Sequence, residues 1–151
     1  MKLLSYGPEP YASANSAISA YIKLKVKNGK LKISTIMNSI IETKSFDFAV
    51  RTVNVYKFLC EQKKEYTLSK QQLRSGTSIG ANVTEAQQAQ SKADFIAKLS
   101  IALKETSESK YWIRLLHTTG YLSESEAKSI LSDCVEIEKL LVSIIKTSKK
   151  Q

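Results

Sequence analysis

The sequence predicts an all-α protein, an antiparallel up-down-up-down four-helix bundle preceded by a short N-terminal extension. Three observations carry that prediction. Apolar residues recur at three- and four-residue spacing through four long segments after Lys44. Helix start and stop signals bracket those segments. The segments are joined by only a few residues, and short links between long helices force sequence neighbours to lie side by side and antiparallel.

The first helix is expected to begin at Ser45, which can cap, with Asp47 near the positive end. Its apolar series is Phe46, Ala49, Val50, Val53, Tyr56, Leu59 and Cys60, and it closes at Lys63 and Lys64. For the second helix, Ser69 with Gln72 reads as a capping box, and Leu68 with Leu73 as a hydrophobic staple. Its centre, Arg74 to Asn82, holds Gly76 and Gly80 among hydroxyl residues. Glycine inside a helix costs about 1 kcal/mol relative to alanine, so such a face implies close helix approach.

Ser91 is expected to cap the third helix, with Asp94 three residues on. Its heptad series is Phe95, Leu99, Ala102, Thr106, Ser109, Ile113 and Leu116, and Gly120 supplies the stop. Ser123 and Glu126 form a second capping box opening the fourth helix, whose apolar positions include Ile130, Leu131, Cys134, Ile137, Leu141, Ile144 and Ile145. Further apolar residues, Ile101, Trp112 and Leu115 among them, lie beyond a single stripe. They fit either a subunit interface or the wide arc that a bundle core requires.

Residues 1–36 read differently and are treated as an extension to a 37–151 bundle domain, with Met37 as an alternative start. Ile22, Leu24 and Val26 alternate with lysines, Asn28-Gly29 follows, and Leu31 and Ile33 resume the alternation. That is a hairpin pattern. A lone hairpin is marginal in water, so it docks on the bundle, pairs with another chain or stays disordered.

The chain has 42% hydrophobic and 25% charged residues, near the globular average. Gly7, Pro8 and Pro10 break the stretch after Lys2, and no run approaches a membrane span, so a cytoplasmic protein without membrane contact is expected. Cys60 and Cys134 lack metal-ligand spacing and are expected to be buried free thiols. The formal charge of +9 favours anionic partners. Residues 1–44 hold seven lysines against two glutamates, and the rest holds sixteen basic against twelve acidic residues. Within the bundle, Lys57, Lys63, Lys64, Lys70 and Arg74 cluster around the first connection and are the candidates for phosphate contacts. Solvated helix ends account for the same residues.

No catalytic constellation emerges. Gly76 and Gly80 lack the Lys-Ser/Thr ending and the preceding strand of a phosphate loop. Glu85, Glu105 and Glu108 invite comparison with carboxylate-bridged metal sites in bundles, but those need two Glu-x-x-His motifs, and His117, the single histidine, follows Arg114 at three residues. The glutamates are expected instead to pair with Arg51, Arg74 or Asn82 and fix helix register. Neither metal nor cofactor is implied.

Three stretches resemble the bacterial four helix bundle protein family. They are Phe46-x-Phe48-Ala49-Val50, then Gln72-Leu73-Arg74-x4-Ile79-x-Ala81-Asn82-x2-Glu85, then Glu105-x2-Glu108-x2-Tyr111-Trp112. The resemblance runs from about Met37 to Lys146. Early members are encoded in intervening sequences of large ribosomal RNA genes and carry a ribosomal-protein label; accessory variability proteins of diversity-generating retroelements also belong. The resemblance implies a homopentamer, and for the retroelement members binding of nucleic acid and a reverse transcriptase through basic surfaces. It implies no enzyme activity. Arg51, Arg74, Ser78, Asn82, Glu85, Glu105 and Glu108 are then structural motif residues. The expected function is a non-enzymatic, homo-oligomeric bundle that binds RNA or DNA electrostatically, the alternative being a protein-interaction module or scaffold with no nucleic-acid role.

Overall fold

The computed structural model describes residues 33–150, with side chains from Asn38 onward. The hairpin expected between Ile22 and Ile33 lies outside the described residues, apart from Ile33. Four helices make up the described chain: α1 Ile33–Lys63, α2 Leu68–Gln87, α3 Lys92–Thr118 and α4 Glu124–Lys150. Thr52 lies against Gly76 and Ser45 against Gly80, joining α1 to α2. Ser109 bonds to Ser75 and Lys98 pairs with Glu85, joining α3 to α2. Lys110 pairs with Glu138 across α3 and α4, and α4 returns to α1 through Asp133 to Arg51 and Glu136 to Lys44. Across the α1–α2, α2–α3 and α4–α1 seams the paired residue numbers run in opposite directions. The arrangement is the up-down-up-down bundle.

The start of α1 differs from expectation. Ser45 is not a cap: it lies mid-helix and buried, its hydroxyl donating to the Glu42 carbonyl at 3.1 Å. The inward stripe is Ile41, Ser45, Phe48, Thr52, Val55 and Leu59, every one buried. That is a regular alternation of four- and three-residue steps, the seam of antiparallel bundle packing. Ser45 and Thr52 occupy core positions because their hydroxyls return to the helix's own carbonyls, Thr52 to Phe48 at 2.8 Å, leaving little to desolvate. Of the expected apolar series only Leu59 is in the core. Phe46 is 67% and Val50 43% exposed.

The start of α2 also differs. Ser69 and Gln72 form no capping box: Ser69 is buried and donates to the Glu65 carbonyl at 2.8 Å, and Gln72 is a buried core residue. The cap is the carboxylate of Glu65, which accepts the backbone N–H of Thr67, Leu68 and Ser69 at 2.9, 2.8 and 2.7 Å. Those are three of the orphan donors at the helix start. The glycines do what their placement implies. A Cβ on Gly76 would stand 2.6 Å from Thr52 Oγ1, and one on Gly80 3.2 Å from the Ser45 carbonyl oxygen.

The later helices follow their sequence signals. Ser91 Oγ accepts Asp94 N–H at 3.1 Å, and the expected α3 heptad is buried from Leu99 to Leu116, with Phe95 half-buried. Gly120, at φ +82°, ends the chain's third helix in the left-handed region, with Gly120 N–H to His117 O and Tyr121 N–H to Leu116 O closing a Schellman motif. Ser123 and Glu126 cap α4 reciprocally at 2.8 and 3.3 Å. The buried residues of α4 are all apolar, whereas α1, α2 and α3 contribute Ser45, Thr52, Ser69, Gln72, Ser75, Thr106 and Ser109. Small hydroxyl residues let α2 sit close to both neighbours. Ile101 is exposed, while Trp112 and Leu115 are half-buried.

Candidate nucleic-acid interface

The residues singled out from the sequence separate into two groups. Lys57, Lys63, Lys64 and Lys70 lie on the last turns of α1, the α1–α2 connection and the first turn of α2. All four are exposed, and none forms an ion pair among the described residues. Arg74 lies one turn further along α2 and faces α3, its guanidinium 3.6 Å from Glu108. It is still 71% exposed. Among the described residues the four lysines thus stand free of carboxylates, while Arg74 shares its charge with one.

The connection that carries the lysines is rigidly built. Lys64 adopts φ +54°, the one non-glycine positive φ among the described residues, and the next residue turns back so that Glu65 N–H meets the Leu59 carbonyl at 3.1 Å. Burial pushes the Glu65 carboxyl up, but the three backbone N–H groups it accepts outweigh that and hold it below its ordinary value. Its negative charge is thus spent on the helix start rather than on the lysines. Tyr66, next in the chain, is 57% exposed. Lys63 extends over the Phe58 ring, 5.8 Å from its centroid. Tyr66 carries its own signal in the sequence, an aromatic residue inside a short lysine-rich link.

Of the motif residues, Arg74, Glu85 and Glu108 meet partners across the seam between α2 and α3. Glu85 pairs with Lys98, not with an arginine, and this contact raises the lysine's proton affinity. Glu108 accepts Trp112 Nε1–H at 3.1 Å and faces Arg74. Asn82 donates to the Ser78 carbonyl at 2.9 Å. Glu105 has no ion-pair partner among the described residues; burial first, then the charge of Glu108, push its carboxyl above the ordinary value against the pull of Arg74. Arg51 departs from the expected pairing altogether: it reaches α4, bonding Asp133 at 2.5 Å and Ser129 Oγ at 2.7 Å. Among the described residues no three His, Cys, Asp or Glu side chains are grouped to hold a metal ion.

The α1–α2 seam differs from the other three. Those are tied by the five ion pairs, and none crosses between α1 and α2 among the described residues. A groove of about 490 Å³ runs there instead, floored by Thr77, Gly80, Ala81 and Thr84 and edged by Phe46 and Ala49. No helix among the described residues is long and apolar enough to cross a membrane.

Comparison with known proteins places this geometry. Residues 37–143 match the model of a family described as the 23S rRNA-intervening sequence protein. A crystal structure of a protein of unknown function from the S23 ribosomal protein family of Bacteroides thetaiotaomicron VPI-5482 is similar at 57% sequence identity and a TM-score of 0.72. The match covers 73% of this chain and 98% of that one. No curated protein matches.

Proposed function

The chain belongs to the 23S rRNA-intervening sequence protein family, and from that premise we propose that it is a non-enzymatic, self-associating bundle that binds nucleic acid, RNA foremost, through phosphate contacts. The observation that carries the proposal is the set of four exposed lysines at the α1–α2 end, without an ion pair among the described residues, beside a glutamate whose carboxylate accepts three backbone N–H groups. Backbone phosphates are bound by such clusters with little base specificity. The names of the family and of its S23 relative, which refer to ribosomal RNA and to a ribosomal protein, favour RNA over DNA. Self-association through the α1–α2 groove would bury Phe46 and Val50 and repeat the lysine cluster around a symmetric assembly, a pentamer by resemblance.

The test is binding of structured RNA and duplex DNA by the full chain across a salt series, with light scattering of the same samples. Expected are a steep fall in affinity with salt, a loss of that slope on replacing the four lysines with glutamine, and a mass above the monomer that collapses on Phe46→Asp. Absence of binding at low salt would refute the nucleic-acid role. The open groove would then favour the second reading, a module that binds a protein partner.

A further inference from the structure

Resting on the nucleic-acid reading above, we propose that the α1–α2 connection is a single-strand site, in which Tyr66 stacks on an unpaired base while Lys63, Lys64 and Lys70 hold the flanking phosphates. Three observations on separate levels converge there. Tyr66 presents an aromatic ring, 57% exposed, on a four-residue link. Lysines flank it on both sides in sequence, and none is spent on an ion pair among the described residues. A base face on an aromatic ring with cations along the backbone is the recurring solution for single strands, because every base has a π-face and every linkage a phosphate.

The backbone supplies the third observation. Both α1 and α3 are left through a residue in the left-handed region: Gly120 at φ +82° after α3, but Lys64 at φ +54° after α1. Glycine takes that conformation without a Cβ clash and lysine does not. A lysine retained where glycine is conformationally cheaper points to a use for its side chain. Meanwhile Glu65, the acid between Lys64 and Tyr66, is buried and bonded to three backbone N–H groups, so it fixes the loop with its carboxylate turned to the helix start. A duplex keeps its bases stacked and out of reach of Tyr66, so the site selects single strands over duplex of the same sequence.

The experiment measures fluorescence-anisotropy binding of a labelled oligoribonucleotide of about twelve bases, single-stranded and annealed to its complement, to the full chain. Tyr66→Ala is expected to weaken single-strand binding about tenfold, leaving the salt slope and duplex affinity unchanged, while Tyr66→Phe keeps the affinity. Lys64→Gly is expected to melt no lower than wild type yet lose single-strand affinity, its log-log salt slope shallower by about 0.7. If Tyr66→Ala binds the single strand as wild type does while lysine substitutions still weaken it, stacking is refuted and the electrostatic role stands. If wild type binds neither form at low salt, both fall. Lys64→Gly binding as tightly as wild type would remove Lys64 from the site and overturn the strain argument.

Discussion

Glu65→Gln isolates the feature on which the α1–α2 connection depends. The carboxylate accepts three backbone N–H groups at 2.7–2.9 Å and the residue is 7% exposed. A neutral amide keeps one oxygen for Thr67 and Leu68 but turns an NH₂ toward the Ser69 N–H, leaving that donor buried and unmet. Hydrogen bonds to a charged acceptor contribute roughly 1.5–3 kcal/mol, and a lost helix cap about 0.5–2. A loss of about 2 kcal/mol follows, lowering Tm by roughly 4–8 °C for a chain of this size. The pH dependence identifies the cause. Because the folded-state value lies below the unfolded one, the charged cap's contribution is complete above the ordinary carboxylate range and drains away as pH falls through the folded value. Thermal melts followed by circular dichroism should therefore show wild type and Glu65→Gln well separated at neutral pH and converging in acid. Equal melting at pH 7, or a gap unchanged at the acid end, would refute the cap.

Two further substitutions probe the core. Gly76→Ala should destabilise by about 1–3 kcal/mol despite alanine's better helix propensity, since its Cβ would meet Thr52 Oγ1 and Cγ2 at 2.6 and 2.7 Å; adding Thr52→Ala should recover much of the loss, and additive single effects in a denaturation cycle would contradict the contact. Cys134 is buried, and desolvation first, then Asp133, push its thiol up to about 12. Alkylation by iodoacetamide at pH 8, read by mass spectrometry, should modify half-buried Cys60 in the native protein and Cys134 only after denaturation; equal rates in the native state would show the core to be open.

The third and fourth helices were legible in the sequence because their caps and their core spoke the same language. Ser91, Gly120, Ser123 and Glu126 act locally, within four residues, and the inward positions of α4 are apolar throughout. The first two helices hid theirs. The inward stripe of α1 contains Ser45 and Thr52, and an apolar period cannot register a core position filled by a hydroxyl that bonds its own helix. In α2 the cap lies outside the usual serine-to-glutamate spacing, in a carboxylate that reaches forward from the loop. For the candidate site, the lysines were legible as a run. Their freedom from ion pairs was not, because pairing is decided by which helix faces which. Arg74 and Arg51 look alike in sequence yet meet Glu108 on α3 and Asp133 on α4.

The misplaced stripe on α1 is itself informative. Phe46, Ala49, Val53, Tyr56 and Cys60 sit one residue after Ser45, Phe48, Thr52, Val55 and Leu59, a rotation of about 100° about the helix. The helix thus carries two adjacent seams, and the outer one, exposed at Phe46 and half-buried from Ala49 to Cys60, is more apolar at Phe46 and Val53 than the inward one at Ser45 and Thr52. In an isolated bundle such an assignment is inverted, since moving apolar surface from water contributes about 25 cal/mol per Å² and Ser45 or Thr52 gains little from burial. The self-association proposed above, in which a second copy covers that seam, accounts for it. Among the described residues no ion pair crosses the α1–α2 seam, and glycine at positions 76 and 80 lets the two helices approach closely there. The self-association proposed above predicts that Phe46→Asp lowers the mass seen by light scattering to that of a monomer without lowering the melting temperature, because Phe46 is 67% exposed in the subunit.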